Sequence, residues 1–348
     1  MNATRDLLNR LLSGTTPSAA ELSALLRAEG AACELLYATA DETRARHVGD
    51  EVHLRGIIEF SNHCANNCWY CGIRCENNKV ERYRMTEDEI IETAQNTRRW
   101  GCGTVVLQSG DDPFYTADIL CGILRRIKAE VGLAITLSVG VRPREELAQF
   151  KAAGCDRYLL RFETTSNALF SAIHPDESFE DRVQCLTDLR ALGYQVGSGF
   201  MIGLPGSTME LIAQDILFAT LLKLDMIGCG PFLAHPDTPL AGKPLLEDRG
   251  VYYKTIALLR ILNPRAHIPS TTAFDALDPE GRNLVLQRGA NVFMPNLTPG
   301  KYRHLYQLYP NKPCVDEDGA ACAICVRGRL ANLNRPVATG PGHSLLQS

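Results

Sequence analysis

No charge-free apolar run in the 348 residues reaches the roughly 18 that a helix needs to cross a bilayer. Long runs of lysine and arginine are also missing, and the formal net charge is −4. The basic footprint of a nucleic-acid binder is therefore absent. The opening residues, Met1-Asn-Ala-Thr-Arg-Asp6, lack the basic-then-apolar pattern of a secretory leader. The expectation is a cytoplasmic chain with no membrane and no nucleic acid among its partners. With 45% hydrophobic and 22% charged residues it suits a soluble globular protein of one or two domains with a large core. Cysteine is not scarce: there are 13. A disulfide framework explains them poorly in an intracellular chain of this size.

Six of those cysteines fall in two clusters, Cys64/Cys68/Cys71 and Cys314/Cys322/Cys325. Cys33, Cys102, Cys121, Cys155, Cys185 and Cys229 are scattered in apolar surroundings and read as small buried side chains. The first cluster runs Cys64-Ala-Asn-Asn-Cys68-Trp-Tyr-Cys71-Gly72. It follows residues 52–60, whose alternation reads as a strand, so the cysteines sit on a loop at that strand's C-terminal end. Three thiolates on one short loop can bind three irons of a cubane cluster. The fourth iron then keeps an open position for an amine and a carboxylate, as catalytic zinc sites keep one for substrate. Cys75 leaves an alternative open, a four-thiolate zinc or ferredoxin-like site. The Cx3Cx2C spacing, with an aromatic before the third cysteine, resembles the signature of the radical S-adenosylmethionine (SAM) enzymes.

Residues 1–50 read as helices, with a capping box at Ser18-Ala-Ala-Glu21, and are expected on the outside or base of the main domain. A second capping box, Thr86-Glu-Asp-Glu89, opens a helix to about Trp100. Strands are predicted at 52–60, 103–109, 134–139, 156–164, 195–202, 225–231, 267–272 and 290–295, with helical stretches between them. Eight such units over about 250 residues suit an α/β fold, a closed (β/α)8 TIM barrel. An open six-stranded sheet is the alternative if the last two strands fail. The domain reading is an N-terminal helical segment (1–50), a barrel (51–300) and a C-terminal extension with the second cysteine triad (301–348). Residues 330–348 read as a Pro- and Gly-containing tail with no assignable chemistry.

A barrel places its chemistry on the loops after its strands. The unusual residues fall there: the cysteine loop, Gln108-Ser-Gly-Asp-Asp-Pro113, Gly203-Leu-Pro-Gly206, His235-Pro-Asp-Thr-Pro239, Ser270-Thr-Thr272 and Met294-Pro-Asn296. Strand parity adds to this. In 157–164, one face carries Arg157, Leu159, Arg161 and Glu163, and the other Tyr158, Leu160, Phe162 and Thr164. The apolar face packs on helices, so the charged one points into the lumen, where isolated charge is costly. A charged ligand explains it better than a buried ion pair alone. Thr136 and Ser138 repeat the pattern one strand earlier.

SAM would need a carboxylate for its ribose or cation and an arginine for its own carboxylate, worth roughly 1.5–3 kcal/mol each. Glu163 and Arg182 are the candidates, and the turn Gln108, Ser109, Gly110 offers backbone to the methionyl amine. Met226 and Tyr306 complete the cofactor-binding set. Arg161 joins the three cysteines as catalytic. Thr136, Arg157, Arg161, Thr271 and Thr272 are the substrate or anion contacts.

A closer resemblance covers about 50–330. Tyr83-Arg-Met-Thr86, Val106-Leu-Gln-Ser-Gly110, Asp156-Arg-Tyr-Leu-Leu-Arg161, Met201-Ile-Gly-Leu-Pro-Gly206, Gly230-Pro-Phe232, His235-Pro-Asp-Thr-Pro-Leu240 and Tyr306-Gln-Leu-Tyr-Pro310 are similar to the HydE maturases of [FeFe]-hydrogenase. That family is related to biotin synthase and methylornithine synthase. Cys314, Cys322 and Cys325 resemble a triad many HydE proteins carry, which implies an accessory second cluster, [2Fe-2S] or [4Fe-4S]. Two positions depart from the pattern: Phe162 stands where many relatives have histidine, and Asp111 where they have glutamate. Cys75 is arginine in relatives and is not expected to be a ligand. The resemblance implies a [4Fe-4S] cluster on Cys64, Cys68 and Cys71, SAM, and a 5′-deoxyadenosyl radical. It implies a reductant such as ferredoxin or flavodoxin. The implied substrate is a small iron complex bearing CO, cyanide and cysteine, made by HydG and attacked at sulfur, with the product passing through HydF. The alternatives are a radical SAM mutase or sulfur-inserting enzyme, and a non-catalytic iron–sulfur carrier.

Overall fold

In the computed structural model, which describes residues 2–316 and 319–346, the alternating stretch after residue 52 becomes β1 (His53–Ser61). Among the described residues nine further strands follow: β2 (Thr104–Ser109), β3 (Ala134–Ser138), β4 (Arg157–Leu159), β5 (Gln195–Ser198), β6 (Met201–Ile202), β7 (Met226–Ile227), β8 (Gly230–Pro231), β9 (Pro269–Ser270) and β10 (Val292–Phe293). The main sheet has the order β7-β5-β4-β3-β2-β1-β10-β9, all parallel. Its two ends meet. Ile227 N–H donates to His267 O at 2.9 Å, and His267 N–H to Asp225 O at 3.0 Å. The result is a nearly closed eight-stranded parallel barrel, with β6 and β8 continuing β5 and β7 and pairing with each other. The open six-stranded alternative falls because β9 and β10 pair with each other and with β1.

Regular pairing is shorter than the alternation suggested. The strand expected over 156–164 pairs regularly for three residues only and rejoins its neighbour by one bridge, Glu163 to Phe200. Glu163 takes a left-handed φ of 66°, which a regular strand cannot hold. The stretch 195–202 likewise breaks between Ser198 and Met201.

Three helices, Asn2–Leu12, Ala19–Leu26 and Gly30–Val48, precede the barrel. Both capping boxes form: Glu21 N–H donates to Ser18 Oγ at 3.2 Å, and Glu89 N–H to Thr86 Oγ1 at 3.3 Å. The N-terminal helices pack on helix Gly250–Leu262, every residue of which from Val251 to Ile261 is buried. That sandwiching explains why the helix is apolar on all sides. Its two cations are provided for: Lys254 Nζ reaches Asp248 Oδ2 at 2.8 Å, and Arg260 donates to Gly289 O at 2.7 Å and Ala266 O at 2.8 Å. Five of the scattered cysteines are buried as expected, while Cys33 is half-buried. Among the described residues no helix is long and apolar enough to cross a membrane.

The tail has a definite place. Val52 bridges Val337, and residues 341–344 plug the N-terminal end of the lumen. Strand alternation turns Arg55, Thr104, Arg157, Gln195 and His267 inward there. Arg55 Nη2 donates to Gly342 O at 3.0 Å, and Thr104 Oγ1 to Pro341 O at 2.8 Å. Arg157 Nη2 reaches both of those carbonyls, at 2.9 Å and 3.0 Å, and its Nη1 donates to Thr104 Oγ1 at 2.9 Å. Buried donors need acceptors, and an extended Pro/Gly segment supplies carbonyls that no helix has used.

Burial, with Arg55 and Arg157 nearby, pushes His53 down to about 4; burial and then Arg55 push His267 well down. Both imidazoles are thus neutral in the fold, while in the unfolded chain they take up a proton near the usual 6.5. The unfolded chain binds more protons between those values, so stability is expected to fall as pH drops from about 6.5 towards 4. Urea midpoints across that window check this: His53→Gln should flatten the slope, and an unchanged slope removes His53 from the account.

Candidate active site

At the C-terminal end of the strands lies a cavity of about 340 Å³. Cys64, Cys68 and Cys71 line one wall, the β2 turn another, and Arg161, Glu163 and Arg182 a third. The cysteine loop is held from outside. Arg82 donates to Asn62 O at 2.5 Å, Ile73 O at 2.8 Å and Arg74 O at 2.6 Å. Two glycines are demanded by close approach. A Cβ on Gly72 would lie 2.1 Å from Gln307 O, and one on Gly110 would lie 2.1 Å from His63 O and 2.8 Å from the Cys64 Cβ. The turn after β2 therefore presses against the first cysteine, and Asp111 N–H points at Cys64 Sγ at 3.4 Å.

Burial pushes the Cys71 thiol up to about 12 and raises Cys64 and Cys68 as well. As bare thiols the three stay protonated at neutral pH, whereas a bound metal holds them as thiolates. Cys75, which could have made a fourth ligand, is exposed and lies off the cavity. The cavity also holds donors and acceptors that the protein does not use. Glu177 Oε1 and Arg182 Nε are buried without a partner among the described residues. This set fits a three-thiolate cluster whose open iron faces a zwitterionic ligand.

Arg161 and Glu163 pair in two places, Nε to Oε1 at 3.1 Å and Nη2 to Oε2 at 2.9 Å. The Tyr70 hydroxyl is 3.4 Å from Glu163 Oε1. Arg182 is buried, its Nη1 donating to Arg161 O at 2.9 Å while Nη2 pairs with Glu177. Gln108 Nε2 donates to the Tyr306 hydroxyl at 3.3 Å. Ser109, Gly110, Met226, Thr271, Thr272 and Tyr306 all line the same cavity. Thr272 Oγ1 is 2.5 Å from the Tyr309 hydroxyl. Phe162 turns outward onto Phe200 and Phe218, as its parity required. Burial raises the Asp111 carboxyl above its usual range.

Two expected substrate contacts are not brought to this cavity. Arg157 and Thr136 face the lumen but lie below it; Arg157 spends its donors on the tail, and Thr136 Oγ1 is buried without a partner among the described residues. Parity gives the face of a strand, not the depth along the barrel, and depth separates Arg157 from Arg161. Other groups were missed. Lys312 reaches into the cavity to Glu59 Oε1 at 2.5 Å, and Asn296 Nδ2 donates to Glu59 Oε2 at 3.0 Å. His174, Glu177 and Tyr70 were also unassigned, though Tyr70 is the aromatic already noted before the third cysteine.

The second triad stands off this cavity. Cys322 and Cys325 are three apart on helix Gly319–Asn332, and Cys314 sits in a left-handed conformation at φ 62°. A hydrogen bond with Cys314 takes the Cys322 thiol down to about 7 against its burial, helped by the Asn296 backbone, Arg282 and Arg303.

The radical SAM superfamily profile matches residues 58–219. The chain is 50% identical over 302 residues to the [FeFe] hydrogenase maturase subunit HydE of Thermotoga maritima, covering 87% of this chain and 86% of that one. It is 31% identical over 271 residues to the 3-methylornithine synthase of Methanosarcina barkeri, covering 76% and 75%. Among solved structures, methylornithine synthase superposes with a TM-score of 0.84 at 27% identity, over 95% of this chain and 97% of that one. The thiolate loop, the polar lumen above the plug and half-identity over nearly the whole length agree: the chain belongs to the HydE family, the radical SAM maturases of [FeFe]-hydrogenase.

Proposed function

We propose that Cys64, Cys68 and Cys71 hold the [4Fe-4S] cluster and that the cavity binds SAM on one side and a small anionic iron–cysteine complex on the other. When bound, the cluster and SAM supply reductive cleavage of the sulfonium–C5′ bond, which yields the 5′-deoxyadenosyl radical. The protein's part is to orient both molecules and exclude water. Arg182 keeps one donor, Nε, for the SAM carboxylate. Glu163, fixed by Arg161, offers its carboxylate to the ribose or the cation. The Gln108–Gly110 turn meets the amine with Tyr306 beside it, and Met226, its Sδ 2.9 Å from Arg55 Nη1, lines the cavity from below. Arg161 is shared between Glu163 and the substrate, with Thr271 and Thr272 beside it. Lys312 neutralises Glu59, so the far wall carries no lone charge.

The observation that carries the substrate reading is the Arg161 side chain, 30% exposed into the cavity although paired with Glu163. A guanidinium with donors to spare above the lumen suits a carboxylate, cyanide or thiolate ligand. The complex would come from HydG and its product pass to HydF, with ferredoxin or flavodoxin as the electron donor. The Cys314/Cys322/Cys325 triad would hold an accessory second cluster.

The test is anaerobic. Loaded enzyme and SAM are mixed with the iron–CO–cyanide–cysteine complex, or with lysine or dethiobiotin, and 5′-deoxyadenosine is counted. Stimulation by the iron complex alone is expected. Stimulation by lysine or dethiobiotin instead would sink the substrate reading and leave the SAM chemistry standing. Arg161→Ala should lower turnover about 10- to 100-fold, the loss of one charged hydrogen bond, and weaken SAM binding less, through the released Glu163. Equal loss of both would sink that division of labour.

A further inference from the structure

A chain of polar contacts crosses the cavity wall from a cluster cysteine to the Arg161–Glu163 pair. His174 is its central member. The residue is 2% exposed, and its ring stacks on Phe170 with centroids 4.5 Å apart. Its Nδ1 lies 3.4 Å from Cys68 Sγ and 3.3 Å from Glu177 Oε2. Its Nε2 lies 3.1 Å from the Tyr70 hydroxyl, which is 3.4 Å from Glu163 Oε1. The loop that carries His174 is fastened to the cysteine loop at two further points: Trp69 N–H donates to Ile173 O at 2.9 Å and Asn67 N–H to Asp176 Oδ2 at 2.6 Å.

The neighbours assign the tautomer. A metal-bound thiolate and a carboxylate are both acceptors, and both face Nδ1, so Nδ1 carries the proton. Nε2 then accepts from Tyr70, whose single proton bridges Nε2 and Glu163 Oε1.

We propose that His174 is a positioning residue that donates a hydrogen bond from Nδ1 to the Cys68 sulfur, sets the reduction potential of the cluster, and through Tyr70 fixes the Glu163 carboxylate for SAM. Hydrogen bonds to ligand sulfurs stabilise the more negative, reduced cluster and raise its potential. Outer groups of this kind also orient first ligands and tune the metal. One side chain therefore couples the ease of reducing the cluster to the hold on the molecule it reduces.

The inference rests on the three-cysteine cluster site. Parent enzyme that fills with iron yet cleaves no SAM would refute that placement before any variant is compared. Three replacements separate the two contacts. His174→Phe keeps the stack on Phe170 and removes both bonds. His174→Asn sets an amide nitrogen, a donor, near the Nδ1 position, and His174→Gln sets its amide oxygen, an acceptor for Tyr70, near Nε2. The readouts are the midpoint potential by EPR-monitored titration, SAM affinity, and iron content.

His174→Phe is expected to shift the midpoint to more negative potential and to weaken SAM binding about fivefold, at parental iron content. His174→Asn should restore the midpoint but not the SAM affinity, and His174→Gln the reverse. Tyr70→Phe should leave the midpoint alone and weaken SAM. Parental midpoints in both the Phe and Gln variants overturn the proposal. Should the Phe variant fail to take up iron, the Asn–Gln pair decides, and equal midpoints in those two are fatal to it.

Discussion

Cys68→Ala is expected to reduce 5′-deoxyadenosine formation to background and to leave the reconstituted protein short of iron. Two thiolates cannot hold a cubane that needs three protein ligands, and the remaining pair, Cys64 and Cys71, sit where burial returns them to the thiol form. The second triad gives the contrast. Cys325 is exposed on its helix and off the cavity. If the second triad holds the proposed accessory cluster, Cys325→Ala is expected to lower iron content by that cluster's share while SAM cleavage survives. Cys75→Ala should change neither. The three variants, assayed side by side for iron, visible absorption and product, divide the cysteines by task. Loss of cleavage in Cys325→Ala would make the two clusters one functional unit. Survival of cleavage in Cys68→Ala would move the catalytic cluster off the first loop altogether.

Arg157→Ala is expected to cost on the order of 3 kcal/mol of stability, because it removes several charge-assisted hydrogen bonds at once. Its guanidinium is bonded to Gln195 Oε1 at 2.9 Å, Thr104 Oγ1 at 2.9 Å, Pro341 O at 2.9 Å, Gly342 O at 3.0 Å and His343 Nδ1 at 3.0 Å. Thr104 Oγ1 and Arg55 Nη2 still serve Pro341 O and Gly342 O, so the cost is that of the lost charged bonds and of the gap left at the base of the lumen. Denaturant midpoints measure the loss, and limited proteolysis should show the tail cut earlier. SAM cleavage per loaded, folded molecule should stay near the parent. The opposite pattern, intact stability with collapsed turnover, would restore Arg157 to the substrate-contact role its strand parity suggested.

The cysteine loop, the β2 turn and the Arg161–Glu163 pair were legible because each is local: a spacing, a turn, an alternation of period two. The same alternation put Phe162 outside and both arginines inside. It could not rank Arg157 and Arg161 by depth, since four residues along a strand move a side chain by roughly 13 Å without changing its face. His174 was not legible. Its partner Cys68 is 106 residues away in sequence, and nothing near His174-Pro175 signals a cavity. Lys312 and Glu59 were hidden for the same reason, at a separation of 253. The shortness of β4 goes with Glu163, whose left-handed backbone serves the site at the expense of that ladder.

The plug bears on the order in which the molecule can assemble. Arg55 meets Gly342 across 287 positions of sequence, and Arg157 meets it across 185. Contacts of such separation form late, because the loop must close before they reward it. During synthesis all ten strands leave the ribosome before the residues that seal their base. Until the tail docks, Arg55 and Arg157 lack the Pro341 and Gly342 carbonyls that accept from them in the finished fold. A nascent chain stalled before residue 341 would therefore present a barrel with a basic inner mouth, a species a chaperone or an anion could hold and the finished protein no longer shows.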